Sequence, residues 1–510
     1  MDRWRRTIRY SGPMAVSLIA CTLSCTAVPD EARKTEPAPI QLQPQSDQAT
    51  GASDSYGEGP GVDGDRPEVF RHKRMDGIGA SETASPNRID LRASHNPFFH
   101  DFGTNGRACS TCHQEKFGWT ITPEFAQQRG AGDPLFVFDG SDCLLPGVPN
   151  PDPATYSTQM LEKALVRIDI GIPAGADFTL VSFADPLNCP TPASAADIRM
   201  YRRPLPVANT FFLSTVMWDG REGVNPPNNL VGLIQTDLEH QANDATRGHA
   251  QAVADLNNAN AVAITSFQTN IFHAQQRIGE LDLDAGGGNG GAAYLLANTL
   301  PNFFIGINDV LGCALPHSCE PGKTATFSST VFTVYQRWET DPPDQQAAAI
   351  GRGEALFNTK TFPIDDVAGL NGTADTLDLP SPFTGSCGTC HDSPDVGNHS
   401  TSLPIDIGVT AQHPVGGLDV ARLPTYTFQE VSTGKTVTVT DPGRGLITGK
   451  FKDIGKTKGP NLRGLATRAP YFHNGSAKDL NAVIDFYNAR FHIGFTDDER
   501  ADLVAFLRAL

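Results

Sequence analysis

Cys109-Ser110-Thr111-Cys112-His113 recurs late in the chain as Cys387-Gly388-Thr389-Cys390-His391. C-x-x-C-H is the attachment signature of a c-type haem: the two thiols form thioethers with the porphyrin vinyl groups, and the adjoining histidine is carried beneath the ring to ligate iron. With 10 Cys and 13 His in 510 residues, chance supplies roughly 0.005 such pentapeptides, so a pair is not an accident of composition. A four-cysteine zinc site also uses C-x-x-C twice, but it leaves unexplained why His113 and His391 each follow their motif directly. The motifs are therefore read as the attachment sites of two covalently bound haem c groups. Cys109, Cys112, Cys387 and Cys390 are the thioether residues, and His113 and His391 are the iron ligands.

The rest of the composition bounds the partners and the compartment. A chain of 510 residues exceeds one core and points to two or three domains. A formal net charge of −17 disfavours nucleic acid and anionic membrane surfaces, which would repel the chain, and suits docking of a basic electron carrier. Arg3, Arg5, Arg6 and Arg9 precede a short apolar run, Met14 to Ala20, and then Cys21. This is the order of a secretory signal, too short to span a bilayer. Leu18-Ile19-Ala20-Cys21 also resembles a bacterial lipobox, which makes Cys21 a candidate lipid anchor and the location periplasmic. Residues 1–25 are thus a leader, and residues 26–65, rich in Pro, Gln, Ser, Asp and Gly, are a flexible linker. No later stretch reads as a transmembrane helix. Outside the leader and the motifs remain Cys143, Cys189, Cys313 and Cys319, an even number that suits an oxidising compartment. Cys313 and Cys319 enclose a short loop and suggest a local disulfide; Cys143 and Cys189 could clip a longer insertion. Spacing proves neither pairing.

From residue 66 the chain reads as an N-terminal haem domain to 340, then a C-terminal haem c domain over 341–510. Aromatic residues Phe98, Phe99, Phe117 and Trp119 surround the first motif, as a dry haem face requires. Residues 130–200, rich in Pro, Gly and Asp, form an insertion with a strand candidate at Phe178 to Phe183. Met217-Trp218-Asp219-Gly220-Arg221 and Tyr471-Phe472-His473-Asn474-Gly475 align with Trp218 opposite His473, each following its own C-x-x-C-H, which is a degenerate internal repeat. Residues 245–278 and 291–300 read as helices from their apolar spacing. Another helix runs from about Asp344 through Phe357, and Thr496-Asp497-Asp498-Glu499 caps a last amphipathic one. The expected fold is mainly α, two cytochrome c-like haem domains with irregular and short-strand insertions, because such domains wrap short helices around the ring.

On Trp218-Asp219-Gly220-Arg221 and Ala469-Pro470-Tyr471-Phe472-His473-Asn474-Gly475-Ser476, with the two haem motifs and the export signal, the sequence resembles the bacterial di-haem cytochrome c peroxidase family, which includes the MauG-type enzymes. The match covers about 95–120, 200–240 and 350–510. The resemblance implies that hydrogen peroxide reacts at the N-terminal haem and that the C-terminal haem relays electrons from a small donor protein, a cytochrome c or cupredoxin. It further implies that Trp218 lies between the haems and that His473 is the family's histidine of the second half. The family's methionine ligand of the C-terminal haem is replaced here by Tyr487, as in the MauG branch; the alternative is that Tyr487 packs on the haem edge. Phenolate stabilises ferric iron and implies a lower potential. No histidine lies between His113 and Trp218, so the first iron is either open to peroxide or closed by His100, His249 or Met200. The family's catalytic glutamate falls nearest Glu239, offset by one residue, with His240 as its rival. A calcium between the halves is usual in the family, and Arg203 near the position of its asparagine ligand argues against one. The other readings are a MauG-like oxidant of a protein or organic substrate, and a non-catalytic electron-transfer cytochrome.

Overall fold

The helices of the second half follow from their caps. In the computed structural model, which describes residues 70–86, 95–144, 152–190, 193–223, 234–310, 319–372 and 379–510, Thr496 accepts from the Glu499 N–H at 3.2 Å. The Glu499 carboxylate in turn accepts from the Thr496 N–H at 2.9 Å. This reciprocal box opens the helix Asp497–Arg508, whose first turn carries three acids against the positive end of the helix dipole. Asp344 caps the helix Gln345–Thr359, accepting from the Ala347 N–H at 2.8 Å. The two helices meet at Gly353, where a Cβ would stand 2.1 Å from the Asp502 carbonyl oxygen. Glycine is tolerated inside this helix because nothing larger permits the approach. Around the crossing, Phe332, Phe357, Leu503 and Phe506 pack with the stacked pair Tyr335 and Trp338, all buried.

The mainly α expectation holds in part: helices are present, but small antiparallel sheets link them. The helical reading of 245–278 is corrected at 249–257, which is irregular, and beyond Thr269. Ile234–Gly248 and Asn258–Thr269 are helices, whereas Phe272–Ile278 is a strand, paired from Gly79↔Ile278 to Ala84↔Phe272. Strand Gly79–Ser85 is buried and pairs on its other side with Phe70–Met75. Its inner edge needs a partner for its N–H and C=O groups, and that demand outweighs helix propensity at 272–278. Of the segment 291–300, Ala292–Tyr294 is one α-turn, continued by a π-turn over Leu295–Thr299.

The insertion carries the expected strand, Phe178–Ala184, and the disulfide Cys143–Cys189. That strand pairs with Thr425–Glu430, which also pairs with Thr436–Val439, so the sheet joins residues on both sides of the 340/341 boundary. Phe178, Tyr426, Phe428 and Val439 bury its inner face. The described residues all fall within one compact unit, Gly64–Leu510. The leader, the linker, Cys21 and Cys313 lie outside the described residues. Among those described, no helix is long and apolar enough to cross a membrane.

Candidate functional site

The two C-x-x-C-H motifs fold into cradles of the same geometry. Each begins as a single 3-10 turn, Cys109–Thr111 and Cys387–Thr389. In each, the threonine hydroxyl accepts from the N–H of the residue before the motif, Ala108 and Ser386, at 3.0 Å. His113 Nδ1 lies 3.1 Å from the Trp119 carbonyl and His391 Nδ1 lies 2.8 Å from the Gly397 carbonyl, each six residues on. Both carbonyls belong to residues in the left-handed region, φ 61° and 72°. A phenyl ring flanks each imidazole alike, Phe98 at 6.4 Å and 52° and Phe357 at 6.2 Å and 53°. A backbone carbonyl on Nδ1 fixes it as the protonated nitrogen and leaves Nε2 as the basic one, the arrangement of a metal-ligating histidine. Burial favours the neutral ring in both cases, driving His113 down to about 4 and lowering His391.

The repeat extends to the second pair of segments. Val216 bridges Glu222 and Tyr471 bridges Ala477; Met217 and Phe472 take φ of 70° and 65°, Gly220 and Gly475 both 63°. Trp218 and His473 therefore come from equivalent turns, and their rings meet edge-on at 6.1 Å. The Trp218 indole N–H donates to the Arg203 carbonyl at 2.7 Å, while the Trp218 carbonyl accepts from the Lys458 N–H at 2.7 Å.

Each cradle opens into its own apolar cavity. The first, about 1470 Å³ with its mouth included, holds Cys109, Cys112 and His113; the second, about 1670 Å³, holds Cys387, Cys390 and His391. The four thiols thus face two separate cavities and do not converge on one zinc ion. Trp218, Lys458 and Pro460 line both cavities and form the wall between them. Among the described residues no carboxylate lines either cavity, whereas Arg107, Arg202, Arg203, Arg221 and Lys458 line the first. Lys458 is 5% exposed, and burial pushes its amine down to about 7. Paired thiols, a tautomer-fixed histidine, apolar walls and buried cations without lining acids fit haem c, whose propionates are anionic and whose ring is apolar.

The structure brings together some of the residues singled out in the sequence and separates others. Tyr487 lines the second cavity, stacked on Phe491 and beside Phe472, and burial raises its phenol. His100 and His249 line the first cavity. Met200 is instead fully buried against the insertion sheet, its sulfur accepting from Arg202 at 3.3 Å. The helix Ile234–Gly248 and the residues just after it present Leu238, Gln241, Ala242, Ala245, Thr246 and His249 to the cavity. Glu239 stands outside that stripe and accepts from Gln235 at 3.1 Å, while His240 is exposed and pairs with Glu222 at 2.6 Å. Arg203, fully enclosed, donates to the carbonyls of Lys163, Ile121 and Arg468 at 2.7–3.0 Å. A guanidinium already holding these oxygens does not fit a calcium site.

Two features carry no clear signal in the sequence. Lys458 is three residues before Asn461 in a Gly-Pro segment with no motif of its own. Asp139, buried in the insertion, contacts both Arg107 and the His249 Nδ1. Burial disfavours its charge, but Arg107 and His249 overcome this and hold the carboxyl down at about 2. Arg107 also donates to the carbonyls of Pro134, Leu135 and Val137 at 2.6–2.8 Å, fastening the insertion beside the motif. Its place two residues before Cys109 is the one sequence clue to this group.

A thiol pair and a tautomer-fixed histidine at the mouth of an apolar cavity define a c-type cytochrome. The curated relatives narrow the class, since the chain is similar to bacterial cytochrome-c peroxidases. It is 26% identical over 251 residues to cytochrome-c peroxidase IdrP1 of Denitromonas iodatirespirans, covering 44% of this chain and 58% of that one. It is 28% identical over 202 residues to cytochrome-c peroxidase IdrP2 of Pseudomonas sp. (strain SCT), covering 35% and 52%. The match to cytochrome c peroxidase Ccp of Escherichia coli K12 is 34% over 76 residues, 14% and 16% of the two chains. The chain spans little more than half the length of the first two relatives. Among solved structures, a MauG-like protein associated with microbial copper homeostasis is 17% identical at a TM-score of 0.33, covering 83% of this chain and 90% of that one. No family model matches the chain. The resemblance to bacterial cytochrome c peroxidases, carried in the sequence by the motifs, is thus present in the curated relatives, and the chain is cytochrome c peroxidase-like.

Proposed function

We propose that the chain is an exported di-haem cytochrome that reduces hydrogen peroxide at the His113 site with electrons relayed from the His391 site. The observation that carries this reading is the shared wall: Trp218 lines both cavities, so any electron passing between them crosses a single indole and its neighbours. Haem c, held by Cys109, Cys112 and His113 and by Cys387, Cys390 and His391, would supply a one-electron iron centre in each cavity. The chain's own residues orient and insulate. The carbonyls of Trp119 and Gly397 hold each ligand ring, the apolar walls exclude water, and buried Lys458 compensates anionic charge. The Arg203 carbonyl holds the indole edge-on to His473. Export agrees with the Cys143–Cys189 disulfide. The net charge of −17 suits a small basic donor, a cytochrome c or cupredoxin. Cys21 is the proposed lipid anchor.

A specific observation favours a second reading. Tyr487 in the second cavity would give a harder, anionic ligand there, which suits MauG-like oxidation of a protein or organic substrate. The test is EPR and absorption spectroscopy of the oxidised holoprotein, wild type and Tyr487→Phe, before and after peroxide. One high-spin centre that reacts with peroxide, and a low-spin signal that moves in the variant, support both the open first site and the tyrosine ligand. Two low-spin centres inert to peroxide even after partial reduction leave an electron carrier and end the proposal. Steady-state turnover with peroxide and a reduced cytochrome then separates the peroxidase from the MauG-like oxidant.

A further inference from the structure

Cleaving the O–O bond needs a group within reach that accepts a proton from one oxygen and returns it to the other. The first cavity has no carboxylate in its lining among the described residues, and Glu239 stands outside it. Two histidines other than His113 remain, His100 and His249. His100 is exposed and has no carboxylate partner among the described residues. His249 differs, because its Nδ1 is held by Asp139, whose side chain is 4% exposed, while its own is 37% exposed. Arg107 pairs with the other Asp139 oxygen and keeps that carboxylate ionised. Asn105 and Arg107 also donate to the His249 carbonyl, at 2.8 and 3.3 Å, so both ends of the residue are tied. Gly140 lets this corner close: a Cβ there would lie 1.8 Å from the Leu135 carbonyl oxygen and 2.8 Å from Arg107. With Nδ1 taken, Nε2 is the nitrogen left to the cavity. A base oriented by a buried carboxylate is the arrangement that activates proton transfer in other enzymes.

We infer that His249, positioned by Asp139, is the acid–base catalyst of peroxide cleavage in the first cavity, an inference that rests on the proposed function above. In the reaction H2O2 + 2 H⁺ + 2 e⁻ → 2 H2O, His249 Nε2 takes the proton from one peroxide oxygen and delivers it to the other. The O–O bond breaks and the doubly protonated oxygen leaves as the first water. The remaining oxygen becomes the second water with two protons from solvent and two electrons from the one-electron donor protein. Asp139 stabilises the imidazolium formed midway and is a positioning residue. The charges that face His249 are Asp139 and Arg107 on one side. Arg202, Arg203, Arg221 and Lys458 face it from the rest of the cavity, with the motif's own His113 and the exposed His100.

The test uses full-length holoprotein: wild type, His249→Gln and Asp139→Asn, each examined by EPR at rest and by stopped-flow reaction with peroxide across pH. His249→Gln is expected to keep the resting spin states, react about 10²- to 10⁴-fold more slowly, and change the pH profile of that reaction. Asp139→Asn is expected to lose less and to change the profile too, since the carboxylate that orients the ring is gone. An undiminished rate in His249→Gln overturns the inference. So does a low-spin signal that turns high-spin in that variant, which would make His249 an iron ligand instead. Wild-type protein inert to peroxide overturns the proposed function itself and is recognised in the control arm.

Discussion

Replacing Asp441 by asparagine is expected to destabilise the protein by about 3–5 kcal/mol at neutral pH. Asp441, 2% exposed, takes both oxygens of a fork from Arg202 at 2.7 and 2.8 Å and stands 3.6 Å from His473. Arg202 also reaches Asp219, the residue after Trp218, so the pair braces the wall between the cavities from behind. Burial works against the Asp441 charge, but Arg202 dominates and brings its pKa from 3.8 to about 2. That depression alone is worth ~2.5 kcal/mol at pH 7, and the buried arginine left short of one partner raises the loss. Because the folded pKa lies below the unfolded one, the contribution is complete above about pH 5 and disappears as pH falls toward 2, with roughly half gone by pH 3. Guanidinium unfolding of the holoprotein followed by circular dichroism at pH 7, 4 and 3 reads both features. A difference between wild type and variant under about 1 kcal/mol at pH 7, or one that does not shrink on acidification, refutes the account of this pair.

Two further outcomes concern the insertion and the Arg203 pocket. The Cys143–Cys189 bridge closes a loop over a sequence separation of 46, so the double Cys→Ala variant is expected to lose up to about 4 kcal/mol by chain entropy; an unchanged melting temperature would mean that the insertion does not unfold with the rest. Since Arg203 occupies its carbonyls, excess EDTA is expected to leave the spectra and peroxide turnover of the holoprotein unchanged, and a loss that calcium restores would refute the assignment.

Relationships between residues close in sequence are legible from the chain alone. C-x-x-C-H is local covalent grammar, and the matching 3-10 turns show that the five residues take the same local shape in both motifs. The capping box at Thr496 and Glu499 depends on neighbours three apart, and the repeat that sets Trp218 opposite His473 depends on short turns with the same φ pattern. Cavity membership is not legible in this way, because it depends on the phase of a helix against partners hundreds of residues away. Glu239 lies in the helix Ile234–Gly248 and His249 directly after it, and only packing makes the stripe through Gln241 and Ala245 face inward. The strand at Phe272–Ile278 and the Asp139 contact have the same origin: an open sheet edge and a buried arginine impose demands that composition and periodicity do not record. The chemistry of haem attachment is therefore written in two pentapeptides. Which side chains meet that chemistry is a matter of the folded packing, since burial and charge pairing act through space and not along the chain.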